Sequence, residues 1–517
     1  MIDPNGFWEQ IEARAEATPD AVFLLEDEDR ALTFAAYRDR CERVAAGLAA
    51  QGVGAGDRVS WQLPTWLESA VLAGALARLG AVQNPILPIY RQRELSHILG
   101  EVGPELLVVP RVWRGFDYAA MAEQLVAGGP TRTLICDRSL PEADPRALPP
   151  ASQRGENPIR WILYTSGTTS SAKGALHGDS SIAAGARWVA SSLEIDPADR
   201  FAIPFALTHV SGIAMLMVCL MSGASAILVE QFDEATPARL GELGCTIATG
   251  GTPLVLRYLE AQRRNPGRPL FPKLKAAMAG AAPKPPQLHG EIRAELGGLG
   301  VVSCYGSTEV PFLSVSAVGD DDDRLARTEG RVDPAADARI VDGKGRVLPP
   351  GTSGELRVRG PQLCRGYLDA ALDVAAFDAD GYFRTGDLAT LDIRGYLTIT
   401  GRLKDVIIRN GENIGAKEVE DVLYGHPSIA DAAVVGLPDP KTGERACAVV
   451  VSRTGAKLDL ADLVEFCRRA GLAPQKIPEQ LEVAAELPRN ASGKVLKHEL
   501  RARYADRRPA ADREPGS

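Results

Sequence analysis

The sequence predicts an α/β protein with largely parallel sheets, followed by a small β-rich portion and a C-terminal α+β domain. Three observations predict it. Helical and strand patterns alternate from residue 30 to residue 330, as in folds that cover a parallel sheet with helices. Residues 338–402 change to short strands broken by Gly and Pro. After Arg402 the mixed pattern returns for about a hundred residues, a usual domain size. A chain of 517 residues also buries a large core and divides into more than one domain.

The elements follow in order. Residues 1–16 carry a helical pattern around Phe7, Trp8 and Ile11. They lack a basic start and an apolar run, so they are no secretory signal. Residues 34–51 read as a helix, 58–62 as a strand, 66–79 as a helix and 81–85 as a strand, with further strands at 106–109 and 133–136. The glycine-rich 52–56 precedes a strand instead of following one, so it is a turn and not a dinucleotide loop. Residues 141–158 form a surface connection. Trp161-Ile-Leu-Tyr164 is a buried strand. The most apolar stretch, 213–229, is short for a membrane span. It reads as a buried helix at 213–221, a turn at Ser222 and Gly223, and a buried strand at 225–229. No integral membrane segment is expected; peripheral contact stays open for a greasy substrate. The acidic run 320–323 is a solvated loop. Strands at 338–341 and 354–359 belong to the β-rich portion. Leu403-Lys404-Asp405 is the junction to the C-terminal domain, and the polar residues 505–517 are expected to be disordered.

Composition narrows the function. Apolar residues at 45% and charged residues at 24% fit a soluble globular protein. A net charge of −9 without a basic stripe excludes a general nucleic-acid binder. The eight cysteines have no CxxC spacing, so neither a zinc site nor a disulfide framework is indicated. Reduced thiols in the cytoplasm are the expectation.

The chemistry-bearing stretch is Thr165-Ser-Gly-Thr-Thr-Ser-Ser-Ala-Lys-Gly174, which leaves the strand at Tyr164. Its hydroxyls and backbone N–H groups can wrap a polyphosphate, with Lys173 as a mobile charge. The spacing is not that of a Walker loop. Tyr305-Gly-Ser-Thr-Glu309 follows the apolar strand 300–304, the end at which α/β folds place ligands. Ala279-Gly-Ala-Ala282 also follows an apolar segment, and its small residues permit close approach.

Together with Tyr382-Phe-Arg-Thr-Gly-Asp387, Gly401-Arg-Leu-Lys-Asp405 and Pro488-Arg-Asn-Ala-Ser-Gly-Lys494, these motifs stand in one order and at one set of separations. The chain thereby resembles the adenylate-forming superfamily of acyl-CoA synthetases, peptide-synthetase adenylation domains and beetle luciferases, over nearly its whole length. The resemblance implies an AMP-binding domain at 1–402, built of two α/β sheet subdomains plus the β-rich one. It implies a mobile C-terminal domain at 403–505, with a tail at 506–517. It also implies ATP, Mg²⁺ and coenzyme A as cofactors, a small-molecule carboxylic acid as the further partner, and a monomer or homodimer.

The resemblance implies residue roles as well. Thr165, Ser166, Gly167, Thr168, Thr169 and Lys173 hold the phosphates. Gly280, Ala281 and Ala282 border the adenine and acyl pockets. Tyr305 covers the adenine face, Gly306 lies beside it, Thr308 donates to a phosphate, and Glu309 holds Mg²⁺, a hard cation. Asp387 and Arg402 take the ribose. Lys494 bridges carboxylate and α-phosphate, and His209 orients the acid or gates its entry. Lys404 is the hinge, and Gly411 admits the pantetheine of CoA.

Residues 201–229 contain no acid, so an α-amino acid would lack a partner for its ammonium. Apolar candidates around Met215, Met217 and Phe312 predict a medium-chain fatty, alicyclic or aromatic acid, which makes the chain an acyl-CoA ligase. Residues 84–90 and 93–95 are similar to cyclohexanecarboxylate-CoA ligases and their fatty-acid relatives. A luciferase-like oxygenase and a non-catalytic nucleotide or acyl binder are the alternatives. The chain departs from the family at Ser170, where Gly is usual, at Ala172, where Pro is usual, and at Asp179, where a second His is frequent.

Overall fold

The computed structural model describes residues 1–26, 29–151, 158–165, 172–280, 282, 284–453, 458–490, 493–505 and 507. The expected tail lies outside them save Ala505 and Arg507, as does part of the 141–158 connection.

Two large sheets dominate. Six strands of the first run parallel in the order Val301–Tyr305, Ala276–Gly280, Ile247–Gly251, Arg200–Ile203, Ser225–Leu228 and Val22–Leu25. Antiparallel strands finish both edges. The second sheet runs Gly174–His177, Trp161–Tyr164, Val82–Pro85, Arg58–Trp61, Leu106–Val109 and Arg132–Ile135, with only its first pair antiparallel.

Period-2 alternation sorts these strands between layers. Ala276, Met278 and Val302 enter a core shared by both sheets, whereas Ala277, Ala279 and Val301 face an outer helical layer. The shared core also takes Trp61 and Trp161 from the second sheet. The helices Phe7–Ala17, Phe34–Ala50, Leu67–Leu79, Asp179–Ser192 and Val210–Ser222 supply its middle. Both large sheets are thus covered on two faces, which is why their strands read as apolar runs. The helix Val210–Ser222 is apolar all round, as a helix between two sheets must be. It ends at Gly223, whose φ of 86° makes the turn into Ser225–Leu228. No helix among the described residues is long and apolar enough to cross a membrane.

Asp179 has a structural task. Its half-buried carboxylate accepts from the Phe7 backbone N–H at 3.0 Å and from Trp161 Nε1 at 2.7 Å. The first helix is thereby pinned to the second sheet from the first turn of the helix Asp179–Ser192. Burial raises the Asp179 carboxyl, and these two donors oppose the rise.

The β-rich portion is a four-stranded antiparallel sheet, Asp337–Val341, Gly354–Arg359, Phe383–Leu391 and Leu397–Arg402. A 3₁₀ turn at Leu403–Asp405 leads into a five-stranded C-terminal sheet with its own core around Val419, Val434 and Val450. The acidic run differs from the expected loop. Asp321 caps a helix, Asp322–Arg327, by accepting from Arg324 N, because acids are stabilised at a helix start.

Candidate functional site

A cavity of about 400 Å³ opens at the C-terminal edge of the parallel strands Ile247–Gly251, Ala276–Gly280 and Val301–Tyr305. Each of these strands ends in or just before a glycine, Gly251, Gly280 or Gly306, and each of those glycines lines the cavity. Gly306 is required by space: a Cβ there would stand 2.5 Å from Phe312 N and 2.8 Å from Val310 O. The segment after Tyr305 folds back tightly, with Ser307 N–H donating to Val310 O at 3.0 Å.

Thr165, Lys173, His209, Gly280, Gly306, Thr308, Glu309, Asp387, Arg402 and Lys494 all line this cavity. Ser166, Gly167, Thr168, Thr169, Ser170 and Ala281 lie outside the described residues. Tyr305 stands behind Asp387, not in the lining, and its hydroxyl donates to Asp387 Oδ2 at 2.6 Å. Ala282 is also set back, its carbonyl accepting from Thr252 Oγ1 at 3.3 Å. Gly411 is not brought to the cavity. It turns the hairpin between Val406–Arg409 and Glu412–Gly415, with φ of 53° at Asn410 and 78° at Gly411.

The loop that leaves Tyr164 is closed at its base. Thr165 N–H donates to Lys173 O at 2.9 Å, and Lys173 N–H to Thr165 Oγ1 at 3.3 Å. The Ala172 carbonyl accepts from His97 Nε2 at 3.0 Å. Beyond the loop, His177 is fully buried and holds the opposite wall. Its Nε2–H donates to the Thr308 carbonyl at 2.8 Å, and its Nδ1 meets Ser181 Oγ at 2.8 Å. Burial pushes the His177 imidazole down to about 4.

That depression has a consequence for acid stability. Above the ordinary histidine value near 6.5 both folded and unfolded chains are neutral here. Between there and about 4 only the unfolded chain takes the proton, so stability falls as pH falls. The loss reaches about 3 kcal/mol per fully buried imidazole. Denaturant unfolding at pH 7 and pH 4.5 is expected to show a steeper loss in the native chain than in His177→Gln. Equal losses would remove His177 as the source.

Asp387 and Arg402 face each other in register on neighbouring strands, with Arg402 Nε 2.6 Å from Asp387 Oδ1. Lys494 reaches this pair from the C-terminal portion, in a loop where Lys494 N–H donates to Asn490 Oδ1 at 2.9 Å. Burial, then the Arg402 charge, pushes the Lys494 ammonium down to about 7. Lys404 is lowered by the same two causes. The lining thus carries four cationic side chains, Lys173, Arg402, Lys404 and Lys494, against the acids Glu309 and Asp387. Such a surplus receives an anion. The other end is uncharged, with Phe205, Val210, Met215, Met278 and Phe312. Met217, expected there, is buried in the core. His209 lines the cavity as well. It caps the helix Val210–Ser222 by accepting from Ser211 N, and burial pushes its imidazole down to about 4.

The described residues hold no cluster of three or more His, Cys, Asp or Glu for a metal. They do fit Mg²⁺ carried with a polyphosphate, which needs one or two protein carboxylates beside phosphate oxygens, and the lining offers the carboxylates of Glu309 and Asp387.

Several lining residues were not anticipated: Thr249, Gly250, Gly251, Met278, Cys304 and Thr385. Nor was Tyr367, which stands outside the lining and whose hydroxyl donates to Glu309 Oε1 at 2.6 Å. The first three carry a legible signal, since Ile247-Ala-Thr-Gly-Gly251 is another apolar run ending in glycine. Tyr367 has none, because its partner lies 58 residues back.

Comparison with known proteins matches the AMP-binding enzyme family over residues 11–368 and the AMP-binding enzyme C-terminal domain over 418–494. The medium-chain fatty-acid–CoA ligase of Escherichia coli is 32% identical, over 96% of this chain and 89% of that protein. The salicyl-AMP ligase / salicyl-S-ArCP synthetase of Mycobacterium tuberculosis is 35% identical, over 94% and 88%. Among solved structures, ATP-bound MatB from Rhodopseudomonas palustris superposes with a TM-score of 0.86 at 29% identity, over 96% of this chain and 99% of that one. The o-succinylbenzoate CoA synthetase of Bacillus subtilis with ATP and magnesium gives 0.80 at 27% identity, over 95% and 98%.

Proposed function

The chain belongs to the AMP-binding enzyme family, and from that premise we propose that it is an AMP-forming carboxylic acid–CoA ligase. One observation carries the reading. Lys173, Glu309, Asp387, Arg402 and Lys494, far apart in sequence, line one cavity that is cationic at one end and apolar at the other.

The acid attacks the α-phosphate of ATP, releasing pyrophosphate and leaving an acyl-adenylate. The CoA thiol then attacks the acyl carbonyl, and AMP leaves. Catalysis of the first step is mostly positioning and charge. Asp387 and Arg402 take the ribose, while Lys173 and the Thr308 hydroxyl take phosphate oxygens. Lys494 places its charge where negative charge builds between carboxylate and phosphorus. Glu309 would hold Mg²⁺, which neutralises polyphosphate charge when bound. An anionic ligand offsets the burial penalty on Lys494, so bound ATP favours the protonated, charged form of its side chain. The acyl-adenylate is a mixed anhydride, and the apolar end keeps it from water.

The uncharged end supports a hydrophobic monocarboxylic acid: medium-chain fatty, alicyclic or aromatic. Neither an α-ammonium nor a second carboxylate has a counter-charge beside Met215 and Met278. The eight unpaired cysteines support a reducing compartment, the cytoplasm. A monomer or homodimer completes the reading.

The test is a panel of carboxylic acids with ATP and CoA, read by the mass of the acyl-CoA formed. Acid-dependent pyrophosphate release with a matching thioester supports the ligase. AMP without a thioester points to another acceptor or to oxidation, and no acid-dependent pyrophosphate leaves a binding protein.

We also propose a domain division after Arg402, with Lys404 as the hinge. In the orientation described, Lys494 lines the cavity while Gly411 does not, which suits adenylation. Thioester formation then needs a rotation at Leu403–Asp405 that brings Gly411 to the cavity. Lys404→Pro fixes φ at the hinge and is expected to slow thioester formation at least about tenfold more than adenylation, each half-reaction being timed separately. Equal loss in both would count against the hinge.

A further inference from the structure

Tyr367 meets both a carboxylate and a lysine of the cavity, and none of the roles above uses it. It is 4% exposed. Its hydroxyl donates to Glu309 Oε1 at 2.6 Å, and Lys173 Nζ stands 5.3 Å from its ring centroid. One aromatic side chain therefore touches the lysine that ends the phosphate loop and the carboxylate of the opposite wall.

The local chain holds Tyr367 rigidly. Residues 365–368 run along the strand Gly174–His177 like an added edge. Arg365 N–H donates to Leu176 O, Leu176 N–H to Gly366 O, and Leu368 N–H to Gly174 O, at 2.8–2.9 Å. Gly366 has φ of 115°, and a Cβ there would lie 2.5 Å from Asp373 Oδ2. Asp373 is kept close because its Oδ1 accepts the Tyr367 N–H at 2.9 Å. The ring packs with Ala175 and Cys364. Cys364 N–H in turn donates to the Glu309 carbonyl at 2.8 Å. One strap thus holds Glu309 by its backbone and by one carboxylate oxygen.

A glutamate side chain has three rotatable bonds, and a cation bound by a single protein carboxylate depends on how well that carboxylate is held. We propose that Tyr367 is the positioning residue for Glu309, taking Oε1 and leaving Oε2 for the divalent cation carried with ATP; this rests on the reading of Glu309 as the metal carboxylate. The cation–π contact places Lys173 on the same ring, so loop lysine and metal carboxylate share one support. Ligating carboxylates are themselves hydrogen-bonded, and losing such a partner costs about 10–100-fold in metal affinity.

The test is Mn²⁺ affinity of the full chain with a non-cleavable α,β-methylene ATP analogue, followed by the paramagnetic resonance of free Mn²⁺. Tyr367→Phe keeps the ring and removes only the donor. It is expected to weaken Mn²⁺ about 10–100-fold while the melting temperature holds. Glu309→Gln is expected to weaken Mn²⁺ at least as much, with no further loss in the double variant. Tyr367→His, which reaches less far, is expected to weaken Mn²⁺ too. Unchanged Mn²⁺ affinity in whichever Tyr367 variant folds, beside a weakened Glu309→Gln, overturns the role of Tyr367. Unchanged affinity in Glu309→Gln overturns instead the reading of Glu309.

Discussion

Lys494→Ala is expected to lower acyl-adenylate formation by about 10²–10³-fold, the usual cost of removing one placed charge-stabilising group. Transfer to CoA from a supplied acyl-adenylate is expected to stay near the native rate. The asymmetry follows from where the charge develops. Negative charge accumulates between carboxylate and phosphorus in the first step, whereas the second expels AMP from an activated carbonyl. Lys494 is already desolvated, with its pKa near 7 beside Arg402. An arriving polyphosphate therefore meets a part-buried lysine, favours its charged form, and is attracted more strongly than at an exposed lysine. Lys494→Arg keeps the charge but exchanges a compact ammonium for a planar fork, so only partial recovery is expected. Half-reactions measured by pyrophosphate exchange and by thioester formation decide it. Equal loss in both would make Lys494 a structural residue.

Asp387→Ala carries the next largest effect. Asp387 is 5% exposed and satisfies two partners at once, Arg402 Nε and the Tyr305 hydroxyl, each at 2.6 Å. Its removal leaves two donors without an acceptor, beside Lys404 and Lys494. Breaking a buried pair from one side costs about 3–5 kcal/mol; Arg402 keeps solvent contact, so about 3 kcal/mol of stability is expected to go. ATP affinity is expected to fall about a hundredfold, since the carboxylate that would accept from the ribose is gone and hydrogen bonds to charged groups are worth about 1.5–3 kcal/mol each. Asp387→Asn keeps an acceptor and should restore much of the stability but less of the affinity. Denaturant unfolding and ATP titration separate the two. Unchanged ATP affinity in Asp387→Ala would return the residue to a purely structural role.

Much of this was legible because the relevant signals are local. Trp161–Tyr164 and Gly354–Arg359 are read from periodicity to the residue. The strand before Tyr305 is displaced by one, to Val301–Tyr305, because its last residues pair with Ser314–Val315. The motif residues converge on one cavity as the resemblance implies, and that convergence rests on strand order that no window of sequence contains. What escaped is what depends on register or on distant partners. The contact of the Tyr305 hydroxyl with Asp387 is one such case, since its partner lies 82 residues away. The strap around Tyr367 has neither helical nor strand periodicity, and only the fold aligns it with Gly174–His177. Asp179 read as a departure from a family pattern, and its partner Phe7 lies 172 residues upstream.

That last contact bears on how the gene can be cut and joined. The family match begins at residue 11, within the helix Phe7–Ala17. A truncated gene begun at that apparent boundary would delete Phe7 and Trp8, both part of the shared core. It would strip the Asp179 carboxylate of one of its two donors and leave Trp161 without its aromatic neighbour, whose ring centroid lies 5.9 Å away. Cloning limits taken from the family match would therefore remove a keystone of the second sheet.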